Sequence, residues 1–147
     1  MSYQHIIVPV DGSKISYSAV KEAAAIAKSF NSKLTLISLV AEDPFTDADF
    51  YYSSSIMKEY FVQAHENAKN ALKEAKTIAS EAGVEADAET FEGPVSAKSI
   101  TQASVEKNAD LIVMGSHGRK GFQKLLLGSF AQDVLSNTEL PVLIVKK

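Results

Sequence analysis

The sequence predicts an α/β protein with an open, mostly parallel five-stranded sheet and helices on both faces. Short apolar runs of strand length alternate with longer segments of helical periodicity, in the order βαβαβαβαβ. The first run, residues 5–10, is nearly all apolar, which is typical of a parallel strand buried on both faces. No repeat, linker or low-complexity segment interrupts the alternation. We therefore expect a single domain over residues 1–147, with right-handed crossovers.

The composition is that of an ordinary globular domain. The chain has 147 residues, of which 46% are hydrophobic and 22% charged, so it can build a sizeable core. A net charge of -3 argues against a general binder of nucleic acid or acidic membranes. Without cysteine the chain has no disulfide, thiol chemistry or cysteine metal site, and three scattered histidines do not suggest a zinc site.

The sequence carries no sign of a membrane or export segment. No apolar stretch approaches the length of a membrane span. The first apolar run is too short for a signal peptide and lacks a basic lead. We therefore expect a cytoplasmic location and no membrane partner.

Turn-forming residues separate the predicted elements. Pro9 cannot donate to a sheet and marks the end of the first strand, Ser13 is a predicted N-cap, and Gly83 ends the longest helix. We expect a long loop or partly ordered lid at residues 41–55, and favour a loop whose aromatic rings cover the sheet edge. We expect a short turn or helix at residues 121–127. The predicted strands are residues 5–10, 33–40, 84–91, 111–114 and 141–145, and the predicted helices are residues 15–30, 56–82, 95–108 and 129–136.

Two of the helices show an apolar face, and the third strand is polar enough to lie at a sheet edge. The face of the first helix consists of Ile15, Ala19, Ala23, Ile26, Ala27 and Phe30. The stripe of the second consists of Met57, Phe61, Ala64, Ala68, Leu72, Ala75, Ile78 and Ala82. The acidic residues around the third strand, which we interpret as solvated surface, are Glu81, Glu85, Asp87, Glu89 and Glu92.

A glycine-rich segment follows the fourth strand and precedes the last helix. Glycine lets backbone N–H groups approach an anion closely, and the first N–H groups of a helix have no partner within it. The helix dipole also favours negative charge at that end. Ser129 stands at the position of an N-cap hydroxyl. Gly115, Gly118, Gly128 and Ser129 are therefore predicted to line a phosphate cradle.

The spacing of these residues resembles the ATP-binding signature of the universal stress protein family, G-x2-G-x9-G-[S/T]. All four positions are filled. The spacing matches neither the P-loop nor the G-x-G-x-x-G pattern. The segments IIVPVDGS, LLLGS and PVLIV also match the family in the same order, so the resemblance covers essentially the whole chain.

This resemblance implies a Rossmann-like fold of the adenine nucleotide alpha hydrolase type, with strand order 3-2-1-4-5. Ligands of open parallel sheets bind outside the carboxyl ends of the strands, where the strand order reverses. With this order the first and fourth strands are neighbours. Asp11 and Gly115 are then expected to face one crevice.

The resemblance further implies an adenine-nucleotide site with Mg²⁺ bound through the phosphates. The Asp11 carboxylate would accept from ribose hydroxyls, and the backbone of Leu39 and Val40 would contact the adenine edge. The residues implied on the adenosine side are Pro9, Val10, Asp11, Leu39, Val40, Met114 and Gly115. Those on the phosphate side are His117, Gly118, Arg119, Gly128, Ser129 and Phe130.

Phe130 departs from the family pattern, in which a small aliphatic residue, often valine, is common. Its backbone N–H can still donate, but the larger ring could crowd a triphosphate. ATP and a smaller adenine nucleotide therefore both stay open as ligands.

Several of these residues also have a plain structural interpretation. Asp11 lies in an Asp-Gly-Ser turn and could serve only that turn. Arg119 and Lys120 either contact phosphate or are solvated loop charges. His117 has no visible partner for catalysis, so we predict no catalytic residue, and His5 and His65 are expected to be structural or exposed.

The last strand, Val142–Val145, is a continuous apolar run near the end of the chain. The family resemblance implies that it pairs antiparallel with the same strand of a second copy, which gives a two-fold homodimer. The alternative is an internal edge shielded by the last helix.

We expect an ATP-binding module of stress response or signalling. Efficient ATP hydrolysis needs a group that positions water, and the glycine-rich segment offers no carboxylate base. A slow ATPase or phosphotransferase is therefore the first alternative, and a nucleotide-independent dimeric interaction protein is the second.

Overall fold

The computed structural model describes residues 3–41, 55–117 and 127–147, with the backbone alone for residues 55–57. Strands and helices alternate along these ranges in the predicted order. The strands are β1 (His5–Pro9), β2 (Lys33–Val40), β3 (Asp87–Glu92), β4 (Leu111–Gly115) and β5 (Val142–Val145). The helices are α1 (Lys14–Phe30), α2 (Ser55–Glu81), α3 (Ala97–Glu106) and α4 (Ser129–Asn137).

The strands form one parallel sheet in the order β3-β2-β1-β4-β5. This confirms the order 3-2-1-4-5 and the edge position of β3. From β1 the chain first moves outward to β2 and β3, then returns to β4 and β5 on the other side. The reversal of strand order therefore falls between β1 and β4.

The sheet is covered on both faces, as its apolar central strands require. On β1, Ile6 and Val8 pack in the core beneath α1 and α2, while Ile7 packs in the core beneath α3 and α4. All three side chains are fully buried. The two helical layers follow from this alternation, because successive side chains of a strand point to opposite faces.

Helix ends follow the turn residues of the sequence. The Ser13 hydroxyl accepts from the Ser16 N–H at 3.2 Å, so the predicted N-cap of α1 is confirmed. Asn31 adopts a left-handed conformation, with φ of 55°, and ends the helix. Gly83, with φ of 86°, follows α2 and donates its N–H to the Ser80 carbonyl.

Two predicted element starts are wrong by a few residues. β3 begins at Asp87 because the Val84 N–H donates to the Ala79 carbonyl at 2.9 Å and so closes the end of α2. α3 begins after a turn in which the Pro94 carbonyl accepts from the Ser96 N–H at 2.9 Å. In both places a local hydrogen bond holds the first predicted residues in a turn, so the strand or helix begins later than the apolar pattern predicts.

The inner face of α1 is rotated from the predicted one. Phe30 is 44% exposed, and its ring meets Tyr3 edge-on with centroids 5.9 Å apart. Val20 and Ala24 are buried instead, beside the predicted alanines. The predicted stripe of α2 is buried at Phe61, Ala68, Leu72 and Ala75.

His5 has the structural role expected of it. Its Nδ1 lies 2.8 Å from the Lys107 carbonyl and its Nε2 lies 2.7 Å from the Thr35 hydroxyl. The Asp110 carboxylate accepts the N–H groups of Gln4 and His5 beside it. This network ties β1, β2 and the end of α3 together at the amino ends of the strands.

Charged side chains line the β3 edge. Asp87 pairs with Lys33 at 3.7 Å, and Glu89 forms an ion pair with Lys107. His65 is half-buried, with its Nε2 3.7 Å from Glu92.

No helix in the described ranges is long and apolar enough to cross a membrane. The predicted loop at residues 41–55 and the predicted turn or helix at 121–127 lie almost wholly outside the described residues.

Candidate functional site

The candidate site lies at the carboxyl ends of β1 and β4, where the strand order reverses. Ile7 pairs with Ile112 in the parallel register. Continuing that register along both strands brings Pro9 level with Met114. The loops that the sequence singled out, one after each strand, therefore leave the sheet side by side.

The loop after β1 is held by a local turn. The Asp11 carboxylate accepts the Ser13 N–H at 2.8 Å through Oδ1, and Gly12 has a φ of 84°. Asp11 is exposed to solvent at this edge of the sheet. The carboxylate thus stabilises the turn at the end of β1.

The strand ends provide an apolar wall. Val10, Val40 and Met114 are each at most 4% exposed, so their side chains belong mainly to the core. Pro9 and Leu39 are half-buried. The Val40 carbonyl accepts from the N–H of Gly93 at 3.1 Å, which uses one of its two lone pairs. What these residues offer a ligand is therefore backbone and partial apolar surface.

Gly115 allows α1 to approach β4 closely. A Cβ at this position would lie 3.0 Å from both Cγ atoms of Ile15. Ile15 was assigned only to the core face of its helix, but the structure places it at the edge of the candidate site. Its position just after the first loop was the available signal.

The two ends of the glycine-rich segment meet through Ser116. The Gly128 N–H donates to the Ser116 carbonyl at 2.7 Å, and the Ser116 N–H donates to the Val145 carbonyl at 2.8 Å. A Cβ at Gly128 would lie 3.2 Å from that same carbonyl oxygen and 3.4 Å from the His117 ring. Glycine at position 128 therefore allows a close approach that a Cβ would crowd.

His117 lies against this junction. Its Nδ1 is 3.0 Å from the Ser116 hydroxyl. Its Nε2 is buried and has no hydrogen-bond partner, the one such side-chain atom among the described residues. A buried polar atom without a partner costs free energy, so it calls for an explanation, such as a bound group.

The N-terminus of α4 begins beside His117. Gly128, with φ of -70° and ψ of 162°, is the N-cap residue, so the prediction that Ser129 caps the helix is wrong. Ser129 is instead the first helical residue, because the Gly128 carbonyl already accepts the first intrahelical hydrogen bond, from the Gln132 N–H at 3.1 Å. The cap makes no side-chain hydrogen bond, and the first turn holds no acidic residue.

The ring of Phe130 is half-buried and packs against the core cluster beneath α3 and α4. Part of its surface is therefore already in contact with protein. Ser129 is exposed next to it. Gly118, Arg119 and Lys120 lie outside the described residues.

Sequence reasoning missed Ser116. It stands between two predicted site residues, Gly115 and His117, but received no role. Its signal was weak, since a lone serine in a glycine-rich segment is ordinary. Its importance comes from contacts with Gly128 and Val145, which are distant in sequence.

The described surface has two pockets of similar volume. One, of about 410 Å³, adjoins the loop after β1 and is lined by Gly12, Tyr17, Asn67, Asn70, Ala71 and Glu74. A larger one, of about 500 Å³, lies between α3 and α4 and contains none of the predicted site residues. We place the candidate site at the unpaired Nε2 of His117 and the uncapped N-terminus of α4, not at the larger pocket.

The described residues contain no cluster of three or more histidine, cysteine or carboxylate side chains that could hold a metal ion. Mg²⁺ keeps several waters and usually takes only one or two protein carboxylates besides substrate phosphates. Asp11 is the carboxylate at the described part of the site. The Asp11 carboxylate therefore fits an ion that would be bound mainly through phosphate oxygens.

Comparison with known proteins agrees with this fold. The model of the universal stress protein family matches residues 2–146. A universal stress protein of Methanocaldococcus jannaschii is 40% identical over 145 residues, which are 99% of this chain and 83% of that protein.

Solved structures show the same architecture. A universal stress protein of Lactobacillus plantarum is 23% identical with a TM-score of 0.84, and the match covers 99% of each chain. A universal stress protein in complex with cAMP is 26% identical with a TM-score of 0.76, over 99% of this chain and 98% of the other. This chain therefore belongs to the universal stress protein family.

Proposed function

We propose that this protein binds an adenine nucleotide, with ATP as the expected ligand, at the carboxyl ends of β1 and β4. The observation that carries the proposal is the buried, unpaired Nε2 of His117 beside the uncapped N-terminus of α4. Each of these features is unfavourable without a partner, and one anionic group would satisfy both.

The phosphate side follows from helix electrostatics. The first N–H groups of α4 meet neither a capping side chain nor an acidic residue of the first turn. They carry the positive end of the helix dipole, which favours a phosphate. The Gly128–Ser116 hydrogen bond holds this helix end beside His117. A phosphate there would accept from helix N–H groups and from the ring.

The nucleoside side uses the neighbouring strand ends. Asp11 would accept from ribose hydroxyls, and Pro9, Val10 and Met114 would lie beside the sugar. The backbone of Leu39 and Val40 would contact the adenine edge. The family relative in complex with cAMP supports the adenine nucleotide class. Because the Phe130 ring packs partly against the core, we retain a triphosphate as the ligand to test first.

Mg²⁺ would be bound through the phosphates and would neutralise part of their charge. Gly118 and Arg119 stay predictions as further phosphate contacts. We propose a binding module in stress signalling rather than an efficient ATPase, because the group at Nδ1 of His117 is the Ser116 hydroxyl and not a carboxylate. We also propose a cytoplasmic location.

We also propose that the protein is a homodimer. β5 lies at the edge of the sheet with β4 on one side, and Leu143 is 38% exposed there. An exposed apolar edge strand is a template for pairing with another strand. A second copy of β5, placed antiparallel across a two-fold axis, would cover it.

The nucleotide proposal is tested by binding and thermal unfolding with ATP–Mg²⁺, ADP and cAMP. Ligand at ~100 times its dissociation constant stabilises the folded state by about 2.7 kcal/mol, which raises Tm by roughly 5–10 °C at this chain length. Gly128→Ala should remove most of this shift, because the added Cβ pushes against the Ser116 carbonyl and the His117 ring.

Gly83→Ala is the matched control. Gly83 has a φ of 86° at the far end of α2, so alanine there should cost about 1 kcal/mol of stability without changing nucleotide affinity. Absence of any ligand-induced shift in nucleotide-free wild-type protein would refute the proposal and favour the nucleotide-independent dimer.

A further inference from the structure

We propose that Ser116 is a positioning residue that holds His117 in the tautomer with its proton on Nε2, ready to donate to a bound phosphate. The phosphate part of this inference rests on the proposed nucleotide site. The tautomer part concerns the protein alone and can be tested without ligand.

Ser116 is built to hold its side chain still. Its N–H donates to the Val145 carbonyl at 2.8 Å and its carbonyl accepts from the Gly128 N–H at 2.7 Å, so both backbone groups are fixed. The residue is 2% exposed. Its hydroxyl lies 3.0 Å from Nδ1 of His117. A rigid hydroxyl at this distance can orient the ring that it contacts.

Counting donors and acceptors selects the tautomer. If the Ser116 hydroxyl donates to Nδ1, its proton and the Nδ1 lone pair are both satisfied, and only the Nε2–H remains without a partner. If Nδ1–H donates to the hydroxyl instead, the serine proton and the Nε2 lone pair are both left unsatisfied. Within the described residues the first arrangement buries fewer unpaired groups, so it is favoured.

The same arrangement suits an anion. An Nε2–H donor can hydrogen-bond to a phosphate oxygen, whereas an Nε2 lone pair would repel it. The His117 ring also lies against Gly128, directly before the first turn of α4. Ser116 would thus align a ring donor with the helix N–H groups, although its own hydroxyl does not touch the ligand.

The first test is ¹⁵N NMR of the histidine rings in ligand-free protein, at a pH where the shifts show a neutral His117 ring. His117→Gln identifies the His117 signals among those of His5 and His65. We expect the proton on Nε2, with its signal moving on addition of ATP–Mg²⁺. A proton on Nδ1 would overturn the inference.

The second test is a double-mutant cycle on ATP affinity. Ser116→Ala should weaken binding by about threefold to tenfold, the worth of one hydrogen bond. In the His117→Ala background the same change should have no effect, because Ser116 acts through the ring. An equal loss in both backgrounds would show a merely structural role and would contradict the proposal.

Ser104→Ala is the matched control. Ser104 is fully buried in α3, and its hydroxyl donates to the Ile100 carbonyl, away from the site. Its removal should lower stability and leave ATP affinity unchanged. If wild-type protein binds no nucleotide, the proposed function and the phosphate part fail together, while the NMR result still decides the Ser116–His117 part.

Discussion

Asp11 illustrates how one side chain can serve both the fold and a ligand. Its Oδ1 accepts the Ser13 N–H at the start of α1, which is enough to explain an aspartate in this turn. It also lies at the edge of the proposed site, where a carboxylate would accept from ribose hydroxyls. The two roles can be distinguished by substitutions that remove the negative charge of Asp11 but keep its hydrogen bond to the Ser13 N–H.

Asp11→Asn should keep the turn, because the amide oxygen can still accept from Ser13, but should weaken ATP binding by about fivefold to tenfold. Asp11→Ala should lose both affinity and about 1 kcal/mol of stability. Titration calorimetry and urea unfolding of both variants measure these effects. If Asp11→Asn leaves ATP affinity unchanged, the carboxylate serves only the turn and does not contact the ribose.

His5 offers a residue-scale prediction that involves no ligand. Its Nδ1 faces the Lys107 carbonyl, an acceptor only, so Nδ1 carries the proton and Nε2 accepts from the Thr35 hydroxyl. Thr35→Val should leave the buried Nε2 of His5 without a donor. The free energy of unfolding, measured with urea, should fall by about 1–3 kcal/mol. ATP affinity should not change, since this network lies at the opposite ends of the strands. If the Thr35→Val variant is as stable as the wild-type protein, another group must donate to Nε2 of His5.

At the scale of elements, the N-termini of α3 and α4 form a natural comparison. Neither cap makes a side-chain hydrogen bond, and neither first turn contains an acidic residue. Only α4 begins beside the unpaired His117 nitrogen. A negative charge introduced at either N-terminus should therefore stabilise the fold, but only the charge at α4 should weaken ATP binding.

Ser129→Asp should stabilise α4 by about 0.3–1 kcal/mol through the helix dipole and lower ATP affinity by about tenfold or more through repulsion of phosphate. Ser96→Asp, at the cap of α3, should stabilise without affecting affinity. Thermal unfolding and calorimetry measure the two quantities. A binding loss of similar size in both variants would argue against phosphate at α4.

At the scale of the whole molecule, the open edge of β5 is the surface of the proposed homodimer. The Pro141 and Val145 carbonyls both accept from the β4 side, so by alternation Val142 and Ile144 direct their N–H and C=O groups to the open edge. Pairing across a two-fold axis would use those groups.

Ile144→Pro should therefore remove an outward N–H, disrupt the edge and give a monomer, while the bonds to β4 persist. Leu143→Lys places a charge on the exposed side of the same strand and should weaken the dimer as well. Sedimentation equilibrium measures the mass, and circular dichroism checks that each variant is folded. A dimer that survives both changes must use another surface.

Much of this architecture is local information. Apolar runs of strand length and helical periodicity predicted every helix and strand in the described ranges. Ser13 and Gly83 marked helix ends because capping depends on a few adjacent residues. The strand order came from the family resemblance, as did the adenine nucleotide. The glycine-rich segment predicted a site at the carboxyl end of β4 because strand, glycine and helix succeed one another in the chain.

Other features depend on partners that are distant in the chain. Phe30 lies outside the core and β3 starts late, because packing against the sheet and the closing bond of α2 override the periodic pattern. Gly128 rather than Ser129 caps α4, and its N–H is held by Ser116, twelve positions earlier. The local sequence thus set the elements and the place of the candidate site, because capping and periodicity depend on adjacent residues. Long-range hydrogen bonds and packing set which atoms would face the proposed ligand, because those contacts form only in the folded chain.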